Sequence, residues 1–322
     1  MRLLSAFSPA ERRPGRVDVQ VLAVAEPPAA LPLIEITGES PGPVFVAVAG
    51  VHGDEFEGPQ AIWQVAQDLQ PSSLRGTLLA LPICNPWAYA AGLRTSPEAI
   101  DGRNLAREFP GDPEGSPTQR LAGELLTFVL RAKPALFLDL HSGGVRYKFC
   151  PTVGYRKGLG EEARSRTAAR AFGLAALWEM ADHPGTFNAE TARRGIPTVG
   201  VEMTGAGDCR QEDVAANREG ILNLMRWLGM LRDRPAPEVP GPFRRTADIV
   251  SPVAGFAVPL RAVGDRVQAG DLVARILSSF GAQAAEVRAS HAGDIWTIRH
   301  LRSIQRNELL CAIARPADAR DP

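Results

Sequence analysis

Apolar and polar positions change period several times along these 322 residues, and each change predicts an element. Residues 17–24 (Val-Asp-Val-Gln-Val-Leu-Ala-Val) and 32–37 read as strands on either side of a Pro-rich turn. Residues 44–49 (Val-Phe-Val-Ala-Val-Ala) form an unbroken apolar run suited to a buried strand. Past it, Pro59 fits a first helical turn, and Ile62, Val65, Ala66 and Leu69 follow the spacing of an amphipathic helix that ends before Pro71. The alternation continues with a strand over 76–82, a polar loop over 85–117, a helix near 117–132 and a strand over 135–140. A helix near 161–172, a loop through 182–195, a strand over 197–202 and a helix near 211–232 complete it. Strands alternating with helices predict an α/β layer protein whose sheet is mixed, mostly parallel and flanked by helices.

The pattern then changes. Arg234-Pro-Ala-Pro-Glu-Val-Pro-Gly-Pro predicts an extended spacer, and beyond it short β-like runs punctuated by glycine replace the alternation. Residues 250–276 and 284–313 read as two halves of a small all-β module. The expected division is a catalytic domain over 1–233, a linker over 234–244 and a C-terminal β module over 245–322. The module resembles the barrel-sandwich fold of biotinyl and lipoyl carrier domains. Carriers need an acceptor lysine, and no lysine follows Lys157, so a covalent swinging arm is excluded.

Composition narrows the partners. Lys+Arg 36 balances Asp+Glu 36, which gives no charge excess to suggest nucleic acid or an anionic membrane and points to a small-molecule substrate. Cys84, Cys150, Cys209 and Cys311 lack metal-binding spacing and read as reduced thiols of a cytoplasmic protein. The hydrophobic stretch within Met1–Arg13 is too short for a signal peptide, and no apolar run reaches the roughly 18 residues of a membrane span.

Chemistry gathers at three strand ends: Gly-Val-His52-Gly-Asp-Glu55, Asp139-Leu-His141-Ser-Gly-Gly and Gly200-Val-Glu202-Met. Two imidazoles and a carboxylate can hold one Zn²⁺ with a position open for water, and Glu202 can stand beside that water as a base. Taken singly, His52 and Glu55 also fit a hydrogen-bonded structural pair, His141 a capped strand terminus and Glu202 a salt-bridged strand end. Together, three donors at two strand ends of one sheet favour a shared ion. Gly50, Gly53 and Gly58 are expected to permit the backbone angles that turn His52 and Glu55 inward. Asp139 fits either a partner for His141 or a buried structural acid. Arg94, Arg103, Arg107, Arg193 and Arg194 compete for substrate contact, because a guanidinium can clamp a carboxylate or stabilise an oxyanion.

With the loop Asn104-Leu-Ala-Arg107-Glu-Phe-Pro-Gly, these segments occur in the order seen in zinc carboxypeptidase-like acylases. Over roughly residues 40–230 the chain resembles the family that includes succinylglutamate desuccinylase and aspartoacylase. The β module is similar to the C-terminal domain of many bacterial members. The resemblance implies a zinc-carboxypeptidase-like fold and one Zn²⁺ per subunit held by His52, Glu55 and His141. It implies that Glu202 activates water, Arg94 polarises the scissile carbonyl and Arg107 binds a substrate carboxylate. Asn104, Arg193 and Arg194 are further substrate-binding candidates. One position departs from the family pattern Asn-Leu-Asn-Arg-x-Phe-Pro-Gly: Ala106 stands where the second Asn is usual, which removes two donors and an acceptor. The expected function is zinc-dependent deacylation of an N-acyl amino acid or related amine, N-acetyl-diaminobutyrate being one candidate substrate. A carboxypeptidase acting on short peptides, and a metal- or ligand-binding protein without turnover, are the alternatives. The β module is expected to cap the cleft or to make subunit contacts in a homo-oligomer.

Overall fold

Alternation within two central strands decides where chemistry can sit. A computed structural model describes residues 2–3, 14–24, 28–235 and 237–317. Most of Met1–Arg13, read above for a signal peptide, lies outside them, as do Ala236 of the linker and residues 318–322. The chain opens with β1 (Arg2–Leu3), β2 (Arg16–Val24), β3 (Ala29–Thr37), β4 (Ser40–Val48), α1 (Glu57–Asp68) and β5 (Arg75–Leu81). Next come α2 (Pro86–Ala91), α3 (Pro117–Ala132), β6 (Leu136–Ser142), β7 (Tyr147–Phe149), β8 (Thr152–Arg156) and α4 (Glu162–Phe172). β9 (Ala176–Met180), α5 (Phe187–Arg193), β10 (Thr198–Met203) and α6 (Gln211–Trp227) follow.

The strands lie in the order β1-β2-β3-β5-β4-β6-β10-β8-β9. β5, β4, β6 and β10 are parallel neighbours, and β8 is antiparallel to β10 but parallel to β9. The expected mixed, mostly parallel sheet is therefore present. On one face Leu136, Leu138 and Leu140 of β6 and Val199 and Val201 of β10 pack with apolar residues of α1, α4 and α6. On the other, Val46, Val48, Leu79, Leu81 and Phe137 pack under α3. Because side chains alternate, Asp139, His141, Gly200 and Glu202 all leave the first core and face the second side. The strand order reverses between β4 and β6, a position where open α/β sheets commonly bind ligands, and His52 follows β4 while β6 carries His141.

Several segments read as loops carry structure. The polar loop 85–117 contains α2, capped by Asn85 Oδ1 on Ala88 N, and a 3₁₀ turn at Leu105–Arg107. The loop 182–195 contains α5. β7, β8 and β9 are only three to five residues long, too short for a period to register in the sequence. The last helix ends at Trp227, with Gly229 beyond it at φ +70°.

The expected extended spacer lies along the helix layer. Arg170 of α4 donates to the carbonyls of Val239 at 2.7 Å and Gly241 at 2.8 Å, and buried Phe243 packs into the helix-side core beneath the guanidinium of Arg170. The linker is thus pinned along α4.

The module contributes β11 (Arg244–Val250), β12 (Gly255–Pro259), β13 (Arg266–Val267) and β14 (Leu272–Leu277). It continues with β15 (Gln283–Arg288), β16 (Gly293–Arg299), β17 (Ser303–Ile304) and β18 (Leu309–Pro316). β11, β18, β16 and β13 extend the main sheet past β9, while β15, β14, β12 and β17 form a second sheet, and the two enclose one apolar core. β16 also pairs with β7, which follows His141 in the chain. Cys84, Cys150, Cys209 and Cys311 are all free thiols. Among the described residues no helix is long and apolar enough to cross a membrane.

The three glycines expected to supply unusual backbone angles divide by role. Gly50 alone of them has a positive φ, +61°. Gly53 and Gly58 are required for close approach instead: a Cβ on Gly58 would stand 2.9 Å from Ala49 Cβ, and one on Gly53 only 2.0 Å from the backbone carbon of Ala88. Gly53 N also donates to Leu93 O at 2.9 Å. A methyl there must push the His52 turn off α2, so Gly53→Ala is expected to cost about 1–3 kcal/mol. Calorimetry should show the thermal midpoint falling by several degrees.

Candidate metal centre and its cavity

His52 and Glu55 lie in the connection from β4 to α1, which is clamped to the next connection by Cys84 N to Ala49 O at 3.0 Å and Asn85 N to Gly50 O at 2.8 Å. β6 delivers His141, and the parallel register sets Glu202 of β10 directly beside it. The Glu55 carboxylate lies between the two rings: Oε1 is 2.7 Å from His52 Nδ1 and Oε2 is 2.9 Å from His141 Nδ1. It also accepts from Ser142 N at 3.2 Å and Arg94 Nη1 at 3.0 Å. The outer ring nitrogens have their own supports. His52 Nε2 meets Asn104 Oδ1 at 3.1 Å, and His141 Nε2 stands 3.1 Å from Asp139 Oδ1.

This is a fit for a divalent cation. The ligand atoms of His52, Glu55 and His141 lie within 4.8 Å of one another, and His52 and Glu55 are almost fully buried. Both Nδ1 atoms face the shared carboxylate, while oxygen acceptors hold both Nε2 atoms, the outer support that metal-binding histidines commonly have. The donor set, two imidazoles and a carboxylate, suits a catalytic zinc.

The charges follow from burial. Burial, then Arg94, pulls His52 down to about 4 against the pull of Glu55, leaving a neutral imidazole at neutral pH. Burial also works against protonation of His141, but Asp139 and Glu55 outweigh it and raise the group well above the usual imidazole range. Glu55 is held well below the ordinary carboxylate range because the two imidazoles overcome its desolvation. Glu202 is half-buried and lines a cavity. Burial pushes its pKa up to about 8, with Glu55 and Asp139 adding to the rise and His141 and Arg94 opposing it.

The cavity has a volume of about 780 Å³. It is lined by His52, His141, Glu202, Arg94 and Arg107, with Ala106 in the same wall. The β module supplies Arg245, Thr246, Asp248, Trp296 and Thr297. Hydrogen bonds from Cys150 N to Trp296 O at 2.8 Å and from His300 N to Arg146 O at 2.8 Å tie that module to the chain after His141. It forms a wall of the site.

Three expected substrate contacts are placed elsewhere. Asn104 sits behind His52 and also caps the 3₁₀ turn through Ala106 N at 3.0 Å, so its amide orients the His52 ring. Arg193 is paired with Asp182 at 2.6 Å and Glu190 at 3.2 Å, and Arg194 with Glu190 at 2.9 Å; neither lines the cavity. Their charges are spent at the end of α5. Arg103 pairs with Glu108 at 3.2 Å, also outside it. The cavity instead contains Arg156, His183 and Asn188. Sequence reading missed them because Arg156 ends a strand too short to recognise and Asn188 belongs to a helix read as loop.

Residues 41–228 match the sequence profile of the succinylglutamate desuccinylase/aspartoacylase catalytic domain. The chain is 29% identical over 297 residues to N-alpha-acetyl-L-2,4-diaminobutyric acid deacetylase of Halomonas elongata, covering 89% of this chain and 86% of that protein. Among solved structures, succinylglutamate desuccinylase/aspartoacylase from Rhodobacter sphaeroides superposes with a TM-score of 0.84 at 26% identity, covering 95% of this chain and 98% of that one. The product-bound ectoine utilization protein EutE (DoeB) from Ruegeria pomeroyi gives the same TM-score at 25% identity, covering 94% and 97%.

Two outcomes are expected. Asn104→Ala, which frees the outer nitrogen of His52, should weaken divalent-metal affinity about 10- to 100-fold in chelator competition. In metal-free protein, Glu202 binds its proton more tightly folded than unfolded, so stability declines as pH rises from the ordinary 4.5 toward about 8. Thermal denaturation of metal-free Glu202→Gln should lose this decline and exceed the parent's midpoint above neutral pH.

Proposed function

The chain belongs to the succinylglutamate desuccinylase/aspartoacylase family, and on that premise we propose that it is a zinc-dependent hydrolase that removes a small acyl group from an N-acyl amino acid. The observation that carries this reading is Glu202 beside His141 in the sheet register, across from the His52–Glu55–His141 donor set. Deacylation is favoured over peptide cleavage by the Halomonas elongata relative, whose name specifies an acetyl group on an amino acid and whose similarity covers 89% of this chain. N-acetyl-L-2,4-diaminobutyrate is therefore the first substrate to test.

His52, Glu55 and His141 would hold the ion. When bound, zinc polarises the acyl carbonyl and makes water nucleophilic near neutral pH. Glu202 accepts the proton released as water adds to the carbonyl carbon, then delivers it to the nitrogen as the C–N bond breaks. Its raised pKa suits both halves of that transfer. Arg94, at the cavity edge and 3.0 Å from Glu55, faces the negative charge that grows on the acyl oxygen. Arg107 is the carboxylate-binding candidate, and the β-module wall limits the size of the substrate. We read residues 1–233 as the catalytic unit, 234–244 as its connection and 245–322 as this wall. Four free thiols support a cytoplasmic setting.

Metal analysis should find one zinc per chain, and a screen of N-acetyl, N-succinyl and N-formyl amino acids and short peptides should favour an N-acyl amino acid. Glu202→Gln should retain the zinc while kcat falls about 10²- to 10⁴-fold. Unchanged turnover would remove Glu202 from the mechanism, and preferred hydrolysis of peptides would favour the carboxypeptidase.

A further inference from the structure

The connection that supplies His52 and Glu55 carries two more buried acids. Asp54 and Glu57 are each only 2% exposed, as Glu55 is. All three reach the chain that leaves His141. β6 ends at Ser142, and residues 143–146 form a strap from there to β7. Asp54 Oδ2 accepts from Val145 N at 3.1 Å. Glu55 Oε2 accepts from Ser142 N at 3.2 Å, and the Ser142 hydroxyl donates to the Glu57 carboxylate. The three acids thus grip Ser142 and Val145, on either side of Gly143 and Gly144.

The strap is shaped for this contact. Gly144 has φ +52°, and a Cβ there would stand 2.5 Å from Asp54 Oδ2, so glycine alone lets the chain pass so close. Gly144 N also donates to Ser142 Oγ at 3.3 Å. Other bonds tie the strap to its remaining neighbours. Gly143 N donates to Met203 O at 3.2 Å and Gly207 N to Gly144 O at 2.9 Å, both in the chain next to Glu202. From the β module, His300 N donates to Arg146 O at 2.8 Å. Beyond Ser142, Asp54 is the side chain that fastens the strap to the metal-binding turn. A carboxylate buried one residue from that of Glu55 is unfavourable by itself, since each loses its water and the two repel. Its bond to the Val145 amide offsets part of that cost.

We propose that Asp54 is a positioning residue of the metal centre: by holding the strap through Val145 N, it keeps Glu55 and His141 at the spacing an ion needs before the ion arrives. This rests on the reading of His52, Glu55 and His141 as metal donors. Without that bond the chain just past His141 can leave the turn, and ion binding must then order it at a cost in affinity. The acceptor oxygen, rather than the charge, performs this role.

The test combines hydrogen–deuterium exchange, read by mass spectrometry, with zinc affinity from chelator competition, the thermal midpoint serving as the folding control. In the metal-free parent, peptides covering residues 142–147 are expected to be protected already and to change little when zinc is added. Asp54→Ala should lose that protection and weaken zinc binding about 10- to 100-fold. Asp54→Asn, which keeps an acceptor for Val145 N, should restore affinity to within about threefold of the parent. Gly144→Ala, which drives a methyl at the carboxylate from the strap side, should reproduce the loss. Combined with Asp54→Ala it should cost no more than the larger single effect, because both act through one contact. A metal-free parent whose strap exchanges freely until zinc is added overturns the proposal, as does Asp54→Asn binding zinc as weakly as Asp54→Ala. Should Asp54→Ala fail to fold, exchange in the parent and the affinities of Asp54→Asn and Gly144→Ala decide. A parent that binds no divalent ion overturns the metal reading, whereas a zinc-binding parent indifferent to Asp54→Ala overturns the proposal alone.

Discussion

The Glu55 carboxylate, buried between two imidazoles, is the interaction on which the rest of the centre depends. An isolated carboxylate at that depth would take up a proton, yet His52, His141, Arg94 and the Ser142 amide together keep it charged. Removing one partner of a buried ion pair typically costs about 3–5 kcal/mol, because the remaining charge is left uncompensated. The arrangement also prepares the site for a cation. His141 carries a proton between Asp139 and Glu55, and an incoming metal ion can replace that proton as the positive charge facing the carboxylate.

Secondary structure converts this local balance into geometry. Parallel pairing sets His141 beside Glu202, and strand alternation removes both from the helix-side core. The turn carrying His52 and Glu55 is held by the packing of Gly53 on α2 and by backbone bonds to the neighbouring connection. Asn104 then fixes His52 from a loop more than fifty residues further along the chain. Strands, turn and loop therefore share one rigid frame.

The β module belongs to that frame. A linker held by Arg170 and Phe243, an edge extension of the main sheet and the β7–β16 pairing leave it fixed against the crevice. Trp296, Thr297 and Asp248 consequently form cavity wall, although they lie far in sequence from the metal-binding motifs. The outcome is a cavity lined by His52, His141 and Glu202, with Arg107 and Arg156 also in its wall.

Much of this was legible without coordinates. Apolar periodicity identified the strands that deliver His52, His141 and Glu202, and the order of their motifs indicated the family, because strand period and strand-end chemistry are local properties. The arginines were not legible in the same way. Arg193 and Arg194 looked available, yet acids within the same helix and the preceding loop neutralise them; Asn104 looked like a substrate contact and supports His52 instead. Arg156 carried no local signal at all, since its access to the cavity depends on glycines of two strands meeting in register and on an amide from α5. The sequence by itself determined the alternating α/β framework and the strand ends at which His52, Glu55, His141 and Glu202 stand. Only the tertiary structure decided which charges remain unpaired, because pairing depends on which distant side chains the fold brings within a few ångströms.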